Sequence, residues 1–209
     1  MIYTIIDVSD NQSKLMIPNK YDMSSPHAIL SEYSKIDISF EVRSIFEPIL
    51  LDNGLGGIQF VERAVEPYIK DYNSEELPTS WAKEWDLSKW VFLLAFHEDQ
   101  LVGGAVLAYN TKGVNMLKGR ADLTILWDIR VNPSYRAQGL GRQLVEGAIS
   151  WAKERHCTEL VVETQNINVP ACCFYVHMGF QLSALNIHAY KECPGEVQLI
   201  WHQLLDGLS

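Results

Sequence analysis

The chain has 209 residues, 47% of them apolar and 21% charged, which suits one globular α/β domain, or a domain with an elaborated end, with a sizeable core, excludes a disordered chain and argues against two full domains. Seventeen basic against 26 acidic residues give a formal net charge of −9, the wrong sign for neutralising nucleic-acid phosphates and the right one for a cationic partner. No apolar run approaches the roughly 20 residues that cross a bilayer, and Met1-Ile2-Tyr3-Thr4-Ile5-Ile6-Asp7 carries no basic region or cleavage site, so the expectation is a cytoplasmic protein without membrane or nucleic-acid partners.

Before residue 90 the pattern is faint. Ile38-Ser39-Phe40-Glu41-Val42 alternates like a strand, and 52–57 and 75–78 have the composition of loops. From Trp90 onward, residues 91–96 and 101–108 are apolar runs flanking His97-Glu98-Asp99-Gln100, which predicts a β-hairpin. Residues 123–131 form a third strand, stopped by Asn132-Pro133 because proline lacks the amide a ladder needs. A helix follows over about 139–155, with Leu140, Leu144, Ala148, Trp151 and Ala152 on one apolar face. Residues 159–163 read as a strand, 170–178 as a short helix with proline in its first turn, and 197–204 as a closing strand. The predicted order is β-β-β-α-β-α-β.

The four cysteines, Cys157, Cys172, Cys173 and Cys193, contain no Cys-x-x-Cys pair, and the histidines have no ligand spacing. Neither a disulfide framework nor a metal site is expected.

The stretch that carries most information is Asp128-Ile129-Arg130-Val131-Asn132-Pro133-Ser134-Tyr135-Arg136-Ala137-Gln138-Gly139-Leu140-Gly141-Arg142, which joins a buried strand to the long helix. Glycines at a helix start let the backbone approach a ligand, and the unpaired amides at the positive end of the helix attract an anion. A Walker loop is excluded because Arg142 and Gln143, not Lys-Ser/Thr, follow Gly141. A dinucleotide fingerprint fits poorly, since Leu144 stands where its third glycine belongs. A purely structural turn remains the competing reading.

Arg136-Ala137-Gln138-Gly139-Leu140-Gly141 resembles the Arg/Gln-x-x-Gly-x-Gly/Ala loop of the Gcn5-related N-acetyltransferases. Downstream, Asn168-Val169-Pro170-Ala171-Cys172-Cys173-Phe174-Tyr175-Val176-His177-Met178-Gly179-Phe180 resembles that family's Asn-x-x-Ala-x-x-x-Tyr-x-x-x-Gly-Phe segment. Within the family, Asp128-Ile129-Arg130-Val131 and residues 163–171 look most like the streptothricin acetyltransferases, and Tyr68-Ile69-Lys70-Asp71-Tyr72 also resembles a segment of that group.

The resemblance implies a single α/β domain: a mixed, twisted central sheet flanked by helices and splayed between its fourth and fifth strands, here 123–131 and 159–165. Residues 90–205 would form the acetyl-CoA-binding core and 1–89 the variable acceptor side; pairing as a homodimer is also implied. A bulge in the strand ending at Val131 would expose the backbone amides of Ile129 and Val131 to the acetyl carbonyl and pantetheine, leaving their side chains to the core. Arg136, Ala137, Gln138, Gly139, Leu140, Gly141 and Arg142 would hold the pyrophosphate, with Asn168 and Ala171 on pantetheine. Tyr175 would serve the departing thiolate, against the alternative of an ordinary packed aromatic.

For the acceptor, Asp128 alternates away from Ile125, Trp127 and Ile129 if the strand is regular. It would hold the substrate ammonium or take its proton; a structural carboxylate bonded to loop amides is the alternative. Asn168 is placed to cap the short helix. Tyr68, Asp71, Tyr72, Glu163 and Tyr190 complete the candidate acceptor residues. The implied activity is acetyl transfer from acetyl-CoA to a primary amine of a small cationic molecule, an antibiotic of streptothricin type. An aminoglycoside, a polyamine or a protein amine as acceptor, and a non-catalytic acyl-CoA sensor, stay open.

Overall fold

A computed structural model describes residues 3–9 and 16–205. In chain order its elements are β1 (Thr4–Asp7), α1 (Pro26–Tyr33), β2 (Phe40–Leu50), β3 (Ile58–Lys70), α2 (Pro78–Glu84), β4 (Val91–His97), β5 (Gln100–Tyr109), β6 (Leu123–Val131), α3 (Leu140–Glu154), β7 (Glu159–Gln165), α4 (Val169–His177), β8 (Gln181–Asn186) and β9 (Gln198–Leu204). The chain packs as two compact units, one of Met1–Ile38, Asp71–Val162 and Gln203–Ser209, the other of Ser39–Lys70 and Glu163–His202. No helix among the described residues is long and apolar enough to cross a membrane.

In the first unit the strand order is β1-β4-β5-β6-β7. Residues 91–96 of β4 and 101–108 of β5 are buried throughout, as continuous apolar runs require when both faces of a sheet are covered. The predicted hairpin closes at His97↔Gln100 through Glu98-Asp99, with Glu98 at φ 53. α3 packs on β4, β5 and β6 through Leu140, Leu144, Val145, Ala148, Trp151 and Ala152. α1 begins at Ser25, whose hydroxyl accepts from the Ala28 amide at 3.2 Å, with Pro26 in the first turn.

β6 carries the feature that shapes the site. Its ladder with β5 slips between Val106 and Leu107, so that Val106 faces Asp128, Leu107 faces Leu126, and Trp127 is the extra residue of a bulge. The regular alternation assumed for Ile125, Trp127 and Ile129 is therefore broken at its middle member. On the other edge, the parallel ladder with β7 runs from Leu123↔Glu159 to Leu126↔Val162 and ends there, although β6 continues to Val131. These are the two strands expected to part. The Ile129 and Val131 side chains are only partly buried, so they are not the ordinary core residues their apolar character suggested.

The second unit holds the β2–β3 ribbon, paired from Phe40↔Lys70 to Leu50↔Ile58, and the neighbours β7-β9-β8. The strand expected at 38–42 is the start of β2, which runs on through Pro48, a residue an edge strand tolerates. The loop expected at 52–57 is the ribbon's turn, with Asp52 and Asn53 in the left-handed region. β8 was not foreseen: four of its six residues are exposed, so it has little apolar pattern, and the order after residue 90 is β-β-β-α-β-α-β-β. Asn166, 1% exposed, holds this unit together. Its Nδ2 donates to Phe46 O at 3.0 Å, its Oδ1 accepts from Val197 N at 2.8 Å, and its backbone bonds Phe46 N and Val197 O, both at 3.0 Å.

Candidate functional site

In the first unit, β6 leads into a 3₁₀ turn, Pro133–Tyr135, capped by Asn132 Oδ1 accepting from Ser134 N at 3.1 Å. Ala137 (φ 57) and Gly139 (φ 85) then take left-handed conformations, the backbone alternation that gathers amides into an anion-binding concavity. A Cβ built on Gly139 would meet nothing within 4 Å, so its surroundings are open to a ligand. α3 has no side-chain cap and no acidic residue in its first turn, which leaves its leading amides available.

Arg136 does not project toward an anion as its charge suggested. Its Nε donates to Val131 O at 2.9 Å and its Nη2 to Asp37 O at 3.1 Å, and burial lowers its pKa despite Asp37. It builds the loop. Gln138 does the same, donating to Ser134 O at 2.9 Å. Arg142 is 62% exposed, 3.7 Å from Glu146, and supplies a cation near the helix start. Leu140 lies beneath, against Gly103, where a Cβ would come within 3.1 Å of its side chain and 2.8 Å of Arg130 O. Backbone donors, a helix N-terminus and one outward arginine fit the diphosphate of coenzyme A.

Asp128 lies in the bulged part of β6, its side chain 11% exposed. Its partners are side chains and not the loop amides foreseen as one alternative. Tyr33 Oη donates to Oδ1 at 2.5 Å, Arg130 Nε donates to Oδ1 at 2.9 Å, and Arg130 Nη2 donates to Oδ2 at 3.0 Å. Arg130, 2% exposed, also donates through Nη1 to Asn73 Oδ1 at 2.7 Å, and its guanidinium lies 5.1 Å from the Tyr33 ring centre. Burial, then the Asp128 charge, raises the Tyr33 pKa well above 10, so the phenol remains a donor. Burial pulls the Arg130 pKa down, but Asp128 and Tyr33 outweigh it and the guanidinium stays charged.

Two of the expected acceptor residues border this cluster. Asp71 accepts from Asn73 N at 2.9 Å and so shapes the loop that reaches Arg130; Tyr72 opens the same 3₁₀ turn. Beside them stand four of the six tryptophans: Trp127 has its ring centre 4.8 Å from Trp85, 5.0 Å from Trp90 and 6.4 Å from Trp81. The Glu76 carboxyl is raised by burial, then by Glu84. Sequence reasoning missed Tyr33, which stands 95 positions from Asp128. In the fold, Gly104 of β5 leaves it room, since a Cβ there would lie 2.8 Å from Leu93 O and 2.9 Å from Tyr33 Cε2.

The second unit brings Glu163 and Tyr190 together. Tyr190 Oη donates to Glu163 Oε1 at 2.5 Å and accepts from Gln165 Nε2 at 2.8 Å, while Gln198 Nε2 donates to Glu163 Oε2 at 2.7 Å. Burial, then Glu163, raises the Tyr190 pKa strongly. Tyr68 is 43% exposed, beside the Lys70–Glu196 ion pair of 2.7 Å; burial, then Glu196, raises its pKa. Asn168 caps α4, its Oδ1 accepting from Ala171 N at 3.2 Å. Tyr175 is buried, its ring 5.2 Å from Phe174 and 5.3 Å from Phe180. A cavity of about 230 Å³ lined by Phe46, Phe60, Cys172, Leu199 and Trp201 among others is apolar and contains none of these polar groups.

A bulged strand thus feeds an uncapped helix through a left-handed, glycine-containing loop, which offers backbone donors to an anionic ligand. The model of the acetyltransferase (GNAT) family matches residues 58–180, over half of the chain, and the chain belongs to that family. Streptothricin acetyltransferase A of Bacillus subtilis (strain 168) is 29% identical over 86% of this chain and 97% of its own length. The streptothricin acetyltransferase of Escherichia coli is 31% identical over 78% of this chain and 84% of its own. A nourseothricin acetyltransferase structure superposes with TM-score 0.70 at 23% identity, covering 98% of this chain and 99% of that one. A Bacillus anthracis (str. Ames) protein named as a candidate streptothricin acetyltransferase, solved with acetyl coenzyme A, gives TM-score 0.69 at 26% identity over 99% of this chain and all of its own. The protein is an acetyl-CoA-dependent N-acetyltransferase with the fold of that family.

Proposed function

We propose that the acceptor is a primary amine of a small cationic antibiotic of streptothricin type, acetylated in the cytoplasm. The observation that carries this is the extent of the likeness. The ribosomal protein bS18-alanine N-acetyltransferase of Escherichia coli (strain K12) aligns over 38% of the chain, whereas the Bacillus subtilis and Escherichia coli streptothricin enzymes align over 86% and 78%, too much for the donor-binding half alone. The net charge of −9 favours a polycationic substrate, and four free thiols suit a reducing compartment.

In this reading the Gly139–Gly141 loop with Arg142 holds the donor's diphosphate, Ile129 and Val131 orient the acetyl carbonyl through their backbone amides, and Asn168 and Ala171 steady pantetheine. The neutral amine attacks the thioester carbon, a C–N bond forms, the C–S bond breaks, and the proton the amine sheds balances the one the thiolate gains. Tyr175 donates a hydrogen bond to that thiolate; because phenols are in general weaker acids than thiols, it need not surrender its proton outright, and it is helpful and not indispensable. Glu163 with Tyr190, Tyr68, and Asp71 with Tyr72 contribute to acceptor recognition.

A homodimer belongs to the same proposal, supported by the apolar tip of the β2–β3 ribbon, where Leu55 is 90% and Leu50 51% exposed; Leu55→Asp should then lower the mass measured by light scattering. The central test is release of free thiol from acetyl-CoA with streptothricin, an aminoglycoside or spermidine as acceptor. Streptothricin should have the highest kcat/KM, and a higher value for either of the others would replace it as the substrate class.

A further inference from the structure

Arg130 is an expensive residue for its place. A guanidinium that is 2% exposed survives burial only if nearly all its donors are met, and here they reach Asp128, through Nε and Nη2, and Asn73, through Nη1. The Tyr33 ring adds its face at 5.1 Å. These partners come from three separate pieces of chain: α1, the 3₁₀ turn after β3, and β6 itself. Arg130 also sits between Ile129 and Val131, in the segment beyond the end of the β6–β7 ladder.

The same bonds constrain Asp128. An ionised carboxylate has about four acceptor sites. Oδ1 is taken by Tyr33 and by Arg130 Nε, and Oδ2 by Arg130 Nη2, which leaves one site on Oδ2. The forked guanidinium compensates the carboxylate's charge and, with the Tyr33 hydroxyl, occupies three of its four acceptor sites. Asp128 remains a rigid hydrogen-bond acceptor of fixed direction.

We propose that Arg130 and Tyr33 are positioning residues for acetyl transfer: they neutralise Asp128 and fix it, through Asn73, to the acceptor-side turn, so that Asp128 orients the acceptor amine with its remaining lone pair and is not the base that deprotonates it. The ammonium loses its proton to water before attack. This rests on the acceptor reading above only in taking the substrate to be an amine, whichever amine is turned over.

The test compares Asp128→Asn, Tyr33→Phe and Arg130→Lys with the parent enzyme, using streptothricin or, if that is not turned over, the best amine among the aminoglycoside and spermidine. Failure of streptothricin as a substrate thus changes the probe and leaves this comparison intact. Asp128→Asn keeps the shape and an acceptor oxygen. Its kcat/KM should keep the acidic limb of the pH profile at the parent's position, because that limb belongs to the amine.

Tyr33→Phe keeps the ring over the guanidinium and removes one bond. It should raise the acceptor KM about three- to tenfold with the acetyl-CoA KM unchanged. Arg130→Lys keeps the charge but loses the fork, and should show the same split more strongly. Loss of the acidic limb in Asp128→Asn, with kcat lowered about a thousandfold, would make Asp128 the general base and overturn the proposal. An equal rise of both KM values in Tyr33→Phe would overturn it too, reducing the cluster to a structural one.

Discussion

At the scale of single residues, the donor loop and the buried thiols make separate predictions. Gly141 stands in the first turn of α3, where a side chain and a negative charge have opposite effects on fold and function. Gly141→Asp supplies helix propensity and complements the helix dipole, so stability should be unchanged or rise by up to about 1 kcal/mol. The same carboxylate repels a diphosphate and blocks backbone approach, so coenzyme A should bind at least about tenfold more weakly. Calorimetric titration of coenzyme A checks this, and unchanged affinity would remove the loop from the donor site. Cys172 is buried beside Thr164, and burial, partly offset by that hydroxyl, pushes its thiol up to about 11. An unfolded thiol ionises near 8.5, so between roughly pH 8.5 and about 11 the unfolded chain holds fewer protons than the folded one. Stability is full below that window and falls as pH rises through it. Cys172→Ala should flatten the fall in urea midpoint between pH 8.5 and about 10.5; a slope equal to the parent's would show that the thiol does not titrate differently on folding.

At the scale of elements, Asn166 is the test of what holds the second unit's strands. It follows β7, and its side chain and backbone together bond Phe46 in β2 and Val197 before β9. Asn166→Ala removes three side-chain bonds, to Phe46 O, Gly195 O and Val197 N, and leaves the buried Val197 amide and the part-buried Phe46 carbonyl short of partners, a loss of about 2–4 kcal/mol. Urea unfolding should show it, and faster amide exchange in β2 should accompany it. The motif reading passed through Asn166 without marking it, because an asparagine's hub role depends on a strand some 120 positions earlier. The same reason hid β2 and β3: their side chains alternate only loosely between half-buried and exposed, with Pro48 and Pro67 interrupting. β4, β5, β6 and α3 were legible because each is buried along a run or a face of its own, so the period in the sequence is the period in the structure. The bulge at Trp127 was legible only through family resemblance, since an inserted residue leaves no mark in composition.

At the scale of the whole molecule, the anionic donor and the cationic acceptor proposed above would meet the same acidic protein. The loop of residues 136–142 could be found by its motif, and Asp128 by its place beside it, but the neutralising partners of Asp128 could not, since Tyr33 and Asn73 lie in a region where the sequence is nearly silent. What the sequence does state without a structure is the charge, −9 in 209 residues. Such a field raises the local concentration of a polycation and does nothing for a polyphosphate beyond the immediate reach of its binding loop. Screening at about 0.3 M salt shortens that reach to some 5–6 Å. Between about 0.02 and 0.3 M salt, kcat/KM for the cationic acceptor should therefore fall about three- to tenfold, while kcat/KM for acetyl-CoA should hold or rise. Steady-state kinetics with each substrate varied in turn measure both slopes. Parallel falls would mean that the acceptor is not drawn by the protein's net charge, and that the carboxylates near Asp128 and Glu76 act only at contact distance.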